Sequence, residues 1–259
     1  MVVSDFPDRI VFVGGAPRSG TSVAHALLCT APDVGHYHPE VSFFRGYMTA
    51  YRNGKASWAG HTRAYFKDLA EFQDMSRTIT DIALRHVWRV VGGKRTLCVK
   101  DPHLTPFFPD LHELYPTKAR FVTICRNPLS VVRSRQAVHE KSGASRPYSQ
   151  DDVAAVCREY LGYYAAVLRH DFQGQHQLVR YEDLDAPHIH ASLATLMGVP
   201  GFDLTRLWSS AAPRPVPDIW GTEKHLGPLN LNPRLPPLRA DWEATARSIC
   251  APIMARLGY

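Results

Sequence analysis

Short apolar runs alternate with longer segments of helical periodicity along most of the chain. Apolar runs of about 4–8 residues are typical of strands that are covered on both faces of a parallel sheet. Such runs predict strands at Arg9–Gly14, Val34–His38, Thr96–Val99, Arg120–Cys125 and Gln177–Tyr181. Apolar positions with helical spacing predict helices at Thr21–Thr30, 61–91, Thr105–Tyr115, Leu129–His139, Asp151–His170, Ala186–Met197 and Arg239–Leu257.

This alternation predicts an α/β fold of three layers, with a central parallel sheet between helices on both faces. No repeat, low-complexity tract or break in composition divides the chain, so we expect a single domain over residues 1–259. Ligands of such sheets bind beyond the carboxyl ends of the strands. The residues that directly follow each strand are therefore the first candidates for function.

Composition narrows the class of protein. Hydrophobic residues make up 45% of the 259 positions and charged residues 21%, which excludes a disordered or fibrous protein. The N-terminal segment carries acids instead of a secretory signal, and no run reaches the roughly 18 apolar residues of a membrane helix. We expect a cytoplasmic protein without a membrane span. The five cysteines are scattered and form no C-x-x-C pair, which predicts reduced thiols rather than disulfides or a zinc site.

The charge balance favours an anionic partner. Lysine and arginine number 30 against 24 acids, which gives a formal charge of +6. Nucleic acid, a phosphate-bearing cofactor and an acidic glycan all fit this charge, as does a basic solvated surface. No basic stripe interleaved with aromatic residues is present, so a nucleic-acid partner is not expected.

A glycine-rich turn joins the first predicted strand to the first helix. From Gly15 it reads G-x-x-x-x-G-T-S, a Walker A frame in which Thr21 stands where the lysine would be. Glycines let the backbone wrap an anion closely, and the N-terminus of the following helix adds its positive dipole end. Thr21 and Ser22 offer hydroxyl donors, and Arg18 supplies a cation from inside the loop. The alternative is a plain glycine turn in which Ser19 or Thr21 caps the helix.

A second strand–turn–helix unit carries a further arginine and serine. The strand Phe121–Cys125 ends at Arg126, and Pro128 suits the first turn of the next helix. Ser134 lies about two turns into that helix. An arginine at a strand end and a serine on the adjacent helix can hold one phosphate from two sides. Taken alone, the pair is equally typical of a capping arginine and a solvent-exposed serine.

Together, P-R-S-G-T-S after the first strand and R-N-P-x-x-x-x-x-S after a central strand resemble the sulfotransferase family. Its members take the sulfuryl group from 3′-phosphoadenosine-5′-phosphosulfate (PAPS), without a metal. The resemblance continues in Arg180–Leu184 and in the C-terminal Leu257–Tyr259. It assigns the 5′-phosphosulfate to Pro17, Arg18, Ser19, Gly20, Thr21 and Ser22, and the 3′-phosphate to Arg126 and Ser134.

Glu40 is the first candidate for the general base. The segment from His38 to Phe44 resembles the K-E-x-x-F-F segment of sugar-modifying sulfotransferases, in which the glutamate is the base, although Pro39 replaces the lysine. This likeness favours a saccharide hydroxyl or a small metabolite as acceptor, with a lipid and a peptide tyrosine left open. A surface acid ahead of a core segment is the alternative for Glu40.

His103 is the rival for the same role. It follows Lys100, Asp101 and Pro102, whereas sulfotransferases of phenols and steroids place their catalytic histidine in K-T-H, one position earlier. A partly buried or helix-capping histidine is the alternative. Lys100 is expected to stabilise charge on the leaving oxygen, with a salt bridge to Asp101 as its alternative.

Two other functions fit parts of the pattern. A P-loop kinase would use the degenerate Walker A frame and Asp101 as its magnesium ligand, and a non-catalytic module would hold a polyanion on the basic face. His36, His38 and Glu40 superficially suggest a metal site, but no third ligand stands at a familiar spacing. The resemblance also implies a late loop that covers the nucleotide, for which Asp218–Asn232, with Trp220 and Lys224, is a candidate; an ordinary surface loop is the favoured alternative.

Overall fold

A four-stranded parallel sheet forms the centre of the molecule. The computed structural model describes residues 5–208, Leu231 and residues 237–259. The strands are β1 (Arg9–Gly14), β2 (Thr96–Lys100), β3 (Ala119–Cys125) and β4 (His176–Arg180). Their order across the sheet is β2-β1-β3-β4, and every neighbouring pair is parallel. The carboxyl ends of all four strands therefore meet at one edge of the sheet.

Helices cover both faces of the sheet, which confirms the predicted α/β class. In chain order they are α1 (Thr21–Leu28), α2 (Phe44–Ala56), α3 (Leu69–Val90), α4 (Phe108–Leu114), α5 (Pro128–Lys141), α6 (Gln150–Ala165), α7 (Pro187–Met197) and α8 (Ala240–Leu257). Polar side chains fix several of the starts: Asp68 accepts from the amide of Glu71 at α3, and Ser149 and Asp152 form a capping box at α6.

Alternation along β1 divides the core into two faces. Ile10 and Phe12 pack among residues of α2, α3 and α4. Val11 and Val13 point to the opposite face and pack among residues of α1 and α7. A third apolar cluster joins α5, α6 and α8 at the side of β3. No helix within residues 5–208 and 237–259 combines the length and the apolar character that crossing a membrane requires.

The predicted strand Val34–His38 is wrong. Only Val34 forms a bridge to β2, opposite Thr96. The amide of His36 then donates to the carbonyl of Val91 at the end of α3, so the chain leaves the sheet after one residue. The Val34 contact lies at the start of β2, and the segment then runs beside β2 until the amide of Val41 donates to the carbonyl of Lys100 at its end.

Helix α2 was not predicted from the sequence. Gly46 and Gly54 lower its intrinsic helix propensity by about 1 kcal/mol each relative to alanine. Burial of Phe44, Met48 and Tyr51 against α3 outweighs that cost. Gly54 serves the packing, because a Cβ there would stand 2.3 Å from the ring of Phe72.

The remaining differences concern where helices begin and end. The helix expected from 61 begins at Leu69, after a short 3-10 turn at Thr62–Ala64. The one expected from Thr105 is a 3-10 turn over Pro102–Phe107, with Pro106 inside it, followed by α4. The helix expected to run to His170 ends at Ala165. Trp220 and Lys224, the residues of the predicted nucleotide cover, lie outside the described residues.

Candidate active site

The turn between β1 and α1 is built on two glycines that no other residue can replace. Gly15 has φ +138°, and a Cβ on it would stand 2.1 Å from the carbonyl oxygen of Ile124. Gly20 has φ +100°, and a Cβ there would stand 2.1 Å from the ring of Tyr181. The loop thus lies directly on β3 and on the residue that follows β4. Arg18 also adopts a positive φ, of 75°, which is uncommon for a side chain of its size.

Hydrogen bonds to buried hydroxyl groups fix the backbone of this loop. The amide of Gly15 donates to Oγ1 of Thr105 over 2.7 Å, and the amide of Ala16 donates to the hydroxyl of Tyr164 over 3.0 Å. The Tyr164 hydroxyl in turn donates to the carbonyl oxygen of Ile124 over 2.9 Å. Sequence reasoning missed Thr105 and Tyr164, because each contacts the loop from a distant part of the chain and belongs to no local motif.

The first turn of α1 is open to an anion. Its N-cap is Gly20, which has no side chain to accept from the helix, and no acid stands in the first turn. The first N–H groups of a helix have no acceptors within the helix, so those of Thr21 and Ser22 are available to a ligand. The amide of Ser19, in contrast, donates to the carbonyl of Ala16 and shapes the turn. A loop with a glycine at each end, leading into an uncapped helix, fits a phosphate or sulfate group.

The second arginine–serine motif contacts this loop directly. Nε of Arg18 donates to Oγ of Ser134 over 2.9 Å, and Nη1 of Arg126 donates to the carbonyl oxygen of Arg18 over 3.3 Å. Arg126 and Ser134 are both buried, so Ser134 is not the solvent-exposed serine of the alternative interpretation. The structure therefore brings the two predicted motifs into one cluster, with Pro17 of the loop beside them.

Tyr181 joins the two motifs from the end of β4. Its ring packs against Gly20, and the guanidinium carbon of Arg126 stands 4.3 Å from the ring centroid. The next residue, Glu182, accepts from the amide of Asn127 over 3.1 Å and from the hydroxyl of Tyr259 over 2.7 Å. The segments Arg180–Leu184 and Leu257–Tyr259 thus meet behind Arg126.

On the other side of the loop lies an ion pair. Nζ of Lys100, at the end of β2, donates to Oε1 of Glu40 over 2.7 Å and to Oγ of Ser22 over 3.1 Å. The side chain of Lys100 is only 4% exposed, whereas that of Glu40 is 43% exposed. Burial lowers the pKa of the Lys100 ammonium, and the Glu40 carboxylate opposes that shift. One face of Glu40 is therefore free to meet a second molecule.

Asp101 and His103 form a separate arrangement. Oδ1 of Asp101 accepts from the amide of His103 over 2.8 Å and so caps the 3-10 turn that follows β2. Oδ2 has no hydrogen-bond partner among the described residues, and burial raises the pKa of this carboxyl group. The His103 ring is half-buried and shares a hydrogen bond with the Tyr163 hydroxyl. Lys100 thus pairs with Glu40 rather than making the Asp101 salt bridge that was its alternative.

An aromatic pair follows Glu40 at the start of α2. Phe44 is buried at 1% exposure, whereas Phe43 is 54% exposed and Tyr47 is 40% exposed. The rings of Phe43 and Tyr47 stand edge to face, with centroids 6.5 Å apart. Phe44 thus anchors the helix, and Phe43 offers an apolar surface close in the chain to Glu40. His38, by contrast, is buried, and both its ring nitrogens contact backbone carbonyls, which removes it from a site with Glu40.

Comparisons with known proteins bear on the family of this chain. The profile described as "Sulfotransferase family" matches residues 10–191. A putative protein-tyrosine sulfotransferase of Caenorhabditis briggsae is 30% identical over an alignment of 138 positions that covers 51% of this chain. The match covers 44% of that relative, so the chain spans less than half of its length.

A solved sulfotransferase structure has the same fold. A sulfotransferase from Alicyclobacillus acidocaldarius superposes with a TM-score of 0.52 at 17% identity, over 97% of this chain and 94% of the other. The sulfotransferase domain from the curacin biosynthetic pathway matches with a TM-score of 0.47 at 18% identity, over 99% of both chains. The family profile, which covers well over half of the residues and both arginine-bearing motifs, decides the assignment. The chain belongs to the sulfotransferase family.

Proposed function

We propose that this sulfotransferase moves the sulfuryl group of PAPS to an acceptor hydroxyl, with Glu40 as the general base. The observation that carries the proposal is that Arg18 lies in the glycine-rich turn and Ser22 in the first turn of α1, which follows it directly. Ser22 contacts the Lys100–Glu40 ion pair, and Arg18 contacts the second motif through Ser134. The glycine-rich turn thus has the Arg18, Arg126 and Ser134 cluster on one side. On its other side lies the Lys100–Glu40 ion pair, in which the Glu40 carboxylate is partly exposed.

The donor fits the residues around the loop. The N–H groups at the start of α1, the Thr21 and Ser22 hydroxyls and the Arg18 guanidinium would hold the 5′-phosphosulfate. Arg126 and Ser134 would hold the 3′-phosphate, which distinguishes this donor from ATP. When bound, PAPS supplies the sulfuryl group and leaves as adenosine 3′,5′-bisphosphate.

The ion pair supplies the proton chemistry. Glu40 would accept the proton of the acceptor hydroxyl at its exposed carboxylate oxygen, while Oε1 stays bonded to Lys100. General base help of this kind contributes about 10²–10⁴-fold to a rate. The buried Lys100 ammonium beside Ser22 places positive charge where negative charge develops on the leaving group. His103 is bonded to Tyr163 and is the second candidate for the base.

A tyrosine phenol is the first acceptor to assay. The C. briggsae relative is named as a putative protein-tyrosine sulfotransferase, and the exposed Phe43 offers an aromatic surface for a phenol ring. The saccharide hydroxyl that the sequence favours is the second acceptor. A cytoplasmic location and a single domain over residues 1–259 stay predictions from the sequence.

A transfer assay tests the proposal. The purified chain is incubated with PAPS, without added metal, and with a tyrosine peptide or an oligosaccharide, and products are followed by mass spectrometry. We expect an added sulfuryl group on one acceptor class and its absence with the Glu40→Gln variant. Transfer from ATP that requires Mg²⁺, together with no transfer from PAPS, would instead establish the kinase alternative.

A further inference from the structure

A second cluster of reactive side chains lies behind the glycine loop, where α1 packs on β2. His25 lies on α1, Cys29 directly follows that helix, and Cys98 is on β2. All three side chains are buried, with exposures of 0%, 2% and 1%. Their donor atoms lie within 4.8 Å of one another. The proposed sulfuryl transfer uses none of the three.

The hydrogen bonding of His25 leaves one of its ring nitrogens without a partner. Nε2 stands 3.1 Å from the carbonyl oxygen of Cys98 and serves as the donor. Nδ1 is buried and has no hydrogen-bond partner among the described residues. Because Nε2 carries the proton that it donates to this carbonyl, Nδ1 of the neutral ring has a lone pair to offer. Histidines that bind metals commonly donate their other N–H to a backbone carbonyl in this way.

The two thiols complete a donor set for a soft divalent ion. Cys29 and Cys98 are both free, buried thiols. Two thiolates and a dication carry no net charge together, which suits a buried site. Two thiolates with one imidazole are a known zinc donor set, in which water supplies the fourth ligand.

We propose that His25, Cys29 and Cys98 bind a zinc-class divalent ion that fastens α1 to β2. Binding converts the two thiols to thiolates and releases two protons, while His25 donates its Nδ1 lone pair. Donor atoms around tetrahedral zinc stand roughly 3.5–3.8 Å apart, so the three groups close by about 1 Å. A disulfide between Cys29 and Cys98 is the alternative use of these two thiols, but it would leave the buried Nδ1 of His25 without a partner. A bound metal ion gives that nitrogen a partner.

The site would also bear on the Lys100 ion pair. Cys98 and Lys100 are two residues apart and therefore lie on the same face of β2. Ser22, His25 and Cys29, spaced by three and four residues, lie along one side of α1 and its C-terminal end. Ser22 already bonds Lys100 over 3.1 Å. A metal one turn further along would fix the register between the same helix and strand. The two cysteines lie far apart in the sequence, which is why their spacing alone predicts no zinc site.

Cobalt titration tests this inference independently of activity. The metal-stripped full chain, kept reduced, is titrated with Co²⁺, which gives sulfur-to-metal charge-transfer bands when thiolates bind. We expect bands that saturate at one equivalent per chain and disappear when Zn²⁺ displaces Co²⁺. Cys29→Ser and Cys98→Ser should weaken binding by at least about tenfold, since even outer-shell changes cost 10–100-fold.

Cys157→Ser is the matched control. Cys157 is buried beside Cys250 in the cluster of α5, α6 and α8, away from the histidine. This variant should bind Co²⁺ like the unaltered chain. An absence of charge-transfer bands in the reduced chain overturns the proposal, as do bands that survive in both Cys29→Ser and Cys98→Ser or that vanish in Cys157→Ser.

A second measurement needs no variant and therefore does not depend on folding of the serine variants. Thiol alkylation followed by peptide mapping is run with and without Zn²⁺. We expect Zn²⁺ to slow alkylation of Cys29 and Cys98 at least about tenfold, and to leave Cys157 and Cys250 unchanged. Equal rates for all four cysteines with and without Zn²⁺ would contradict the proposal.

Discussion

The glycine loop and the start of α2 both adjoin the Lys100–Glu40 ion pair, but they are held in different ways. The loop backbone is bonded to the buried hydroxyls of Thr105 and Tyr164 and has no room for a Cβ at Gly15. The start of α2 has no side-chain cap and presents Phe43 at 54% exposure. We therefore expect changes in the loop to alter folding and donor binding together, and changes on the exposed face of α2 to alter acceptor binding alone.

Among changes in the loop, Gly15→Ala is expected to lower the unfolding free energy most. The new Cβ would meet the Ile124 carbonyl oxygen at 2.1 Å, at a φ that alanine rarely adopts. We expect unfolding free energy to fall by more than about 4 kcal/mol, or no folded protein at all. Gly143→Ala is the matched control: its φ is +67°, but the space around it is open, so only about 1–2 kcal/mol is expected. Equal losses in urea unfolding would show that the loop is not tightly packed.

The ion pair between the two regions is tested by Glu40→Gln. We expect kcat to fall by about 10²–10⁴-fold, because the amide keeps the shape of the side chain but accepts no proton. Affinity for adenosine 3′,5′-bisphosphate, measured by calorimetry, should stay within a factor of about two, since the residues proposed to hold its phosphates are unchanged. His103→Asn serves as the comparison variant. Should it lose more activity than Glu40→Gln, the base role belongs to His103.

Two neighbouring phenylalanines at the start of α2 allow its packing to be tested separately from its exposed surface. Phe44→Ala removes a ring that is 1% exposed and should lower unfolding free energy by about 3–5 kcal/mol. Phe43→Ala, at 54% exposure, should change it by less than about 0.5 kcal/mol. We expect Phe43→Ala to raise the acceptor KM while the donor KM stays constant. A rise in both constants would place Phe43 outside the acceptor region.

A smaller effect is expected from Tyr164→Phe. The variant leaves the Ala16 amide and the Ile124 carbonyl without their hydroxyl partner, at a cost of about 1–3 kcal/mol in stability. Donor affinity should fall with stability, because the hydroxyl holds the loop backbone. Tyr160→Phe, which removes the hydroxyl that donates to the Arg126 carbonyl and leaves the Ala16 amide bonded, should have the smaller effect on the loop. Donor binding that is unaffected by Tyr164→Phe would argue against a preformed loop.

The sequence predicted well the elements that local residues determine and poorly those that tertiary contacts determine. Strands β1 to β4 and the glycine turn were predicted nearly to the residue, because each is encoded by a local apolar run or a local turn. Helix α2 was missed, since Gly46 and Gly54 weaken its local signal and packing of Phe44, Met48 and Tyr51 determines it. The strand predicted at Val34–His38 was wrong, because contacts with α3 redirect the chain.

The candidate site shows the same limit. Arg18, Arg126 and Ser134 were selected from two local motifs, and the structure brings them together. The supports of Thr105 and Tyr164 could not be predicted, since they reach the loop only through tertiary contacts. The pairing of Lys100 with Glu40, instead of with the adjacent Asp101, likewise depends on where the chain returns after α1.

The most direct test of the central claim is calorimetric binding of adenosine 3′,5′-bisphosphate and of AMP, to the unaltered chain and to Arg126→Ala. Arg126 contacts the loop carbonyl of Arg18 and is buried beside Tyr181, where it would meet the 3′-phosphate. We expect the bisphosphate to bind at least about tenfold more tightly than AMP, which corresponds to roughly 1.4 kcal/mol, and expect Arg126→Ala to abolish that difference. Equal affinity for both nucleotides in the unaltered chain, or a preference that survives in Arg126→Ala, would contradict the account.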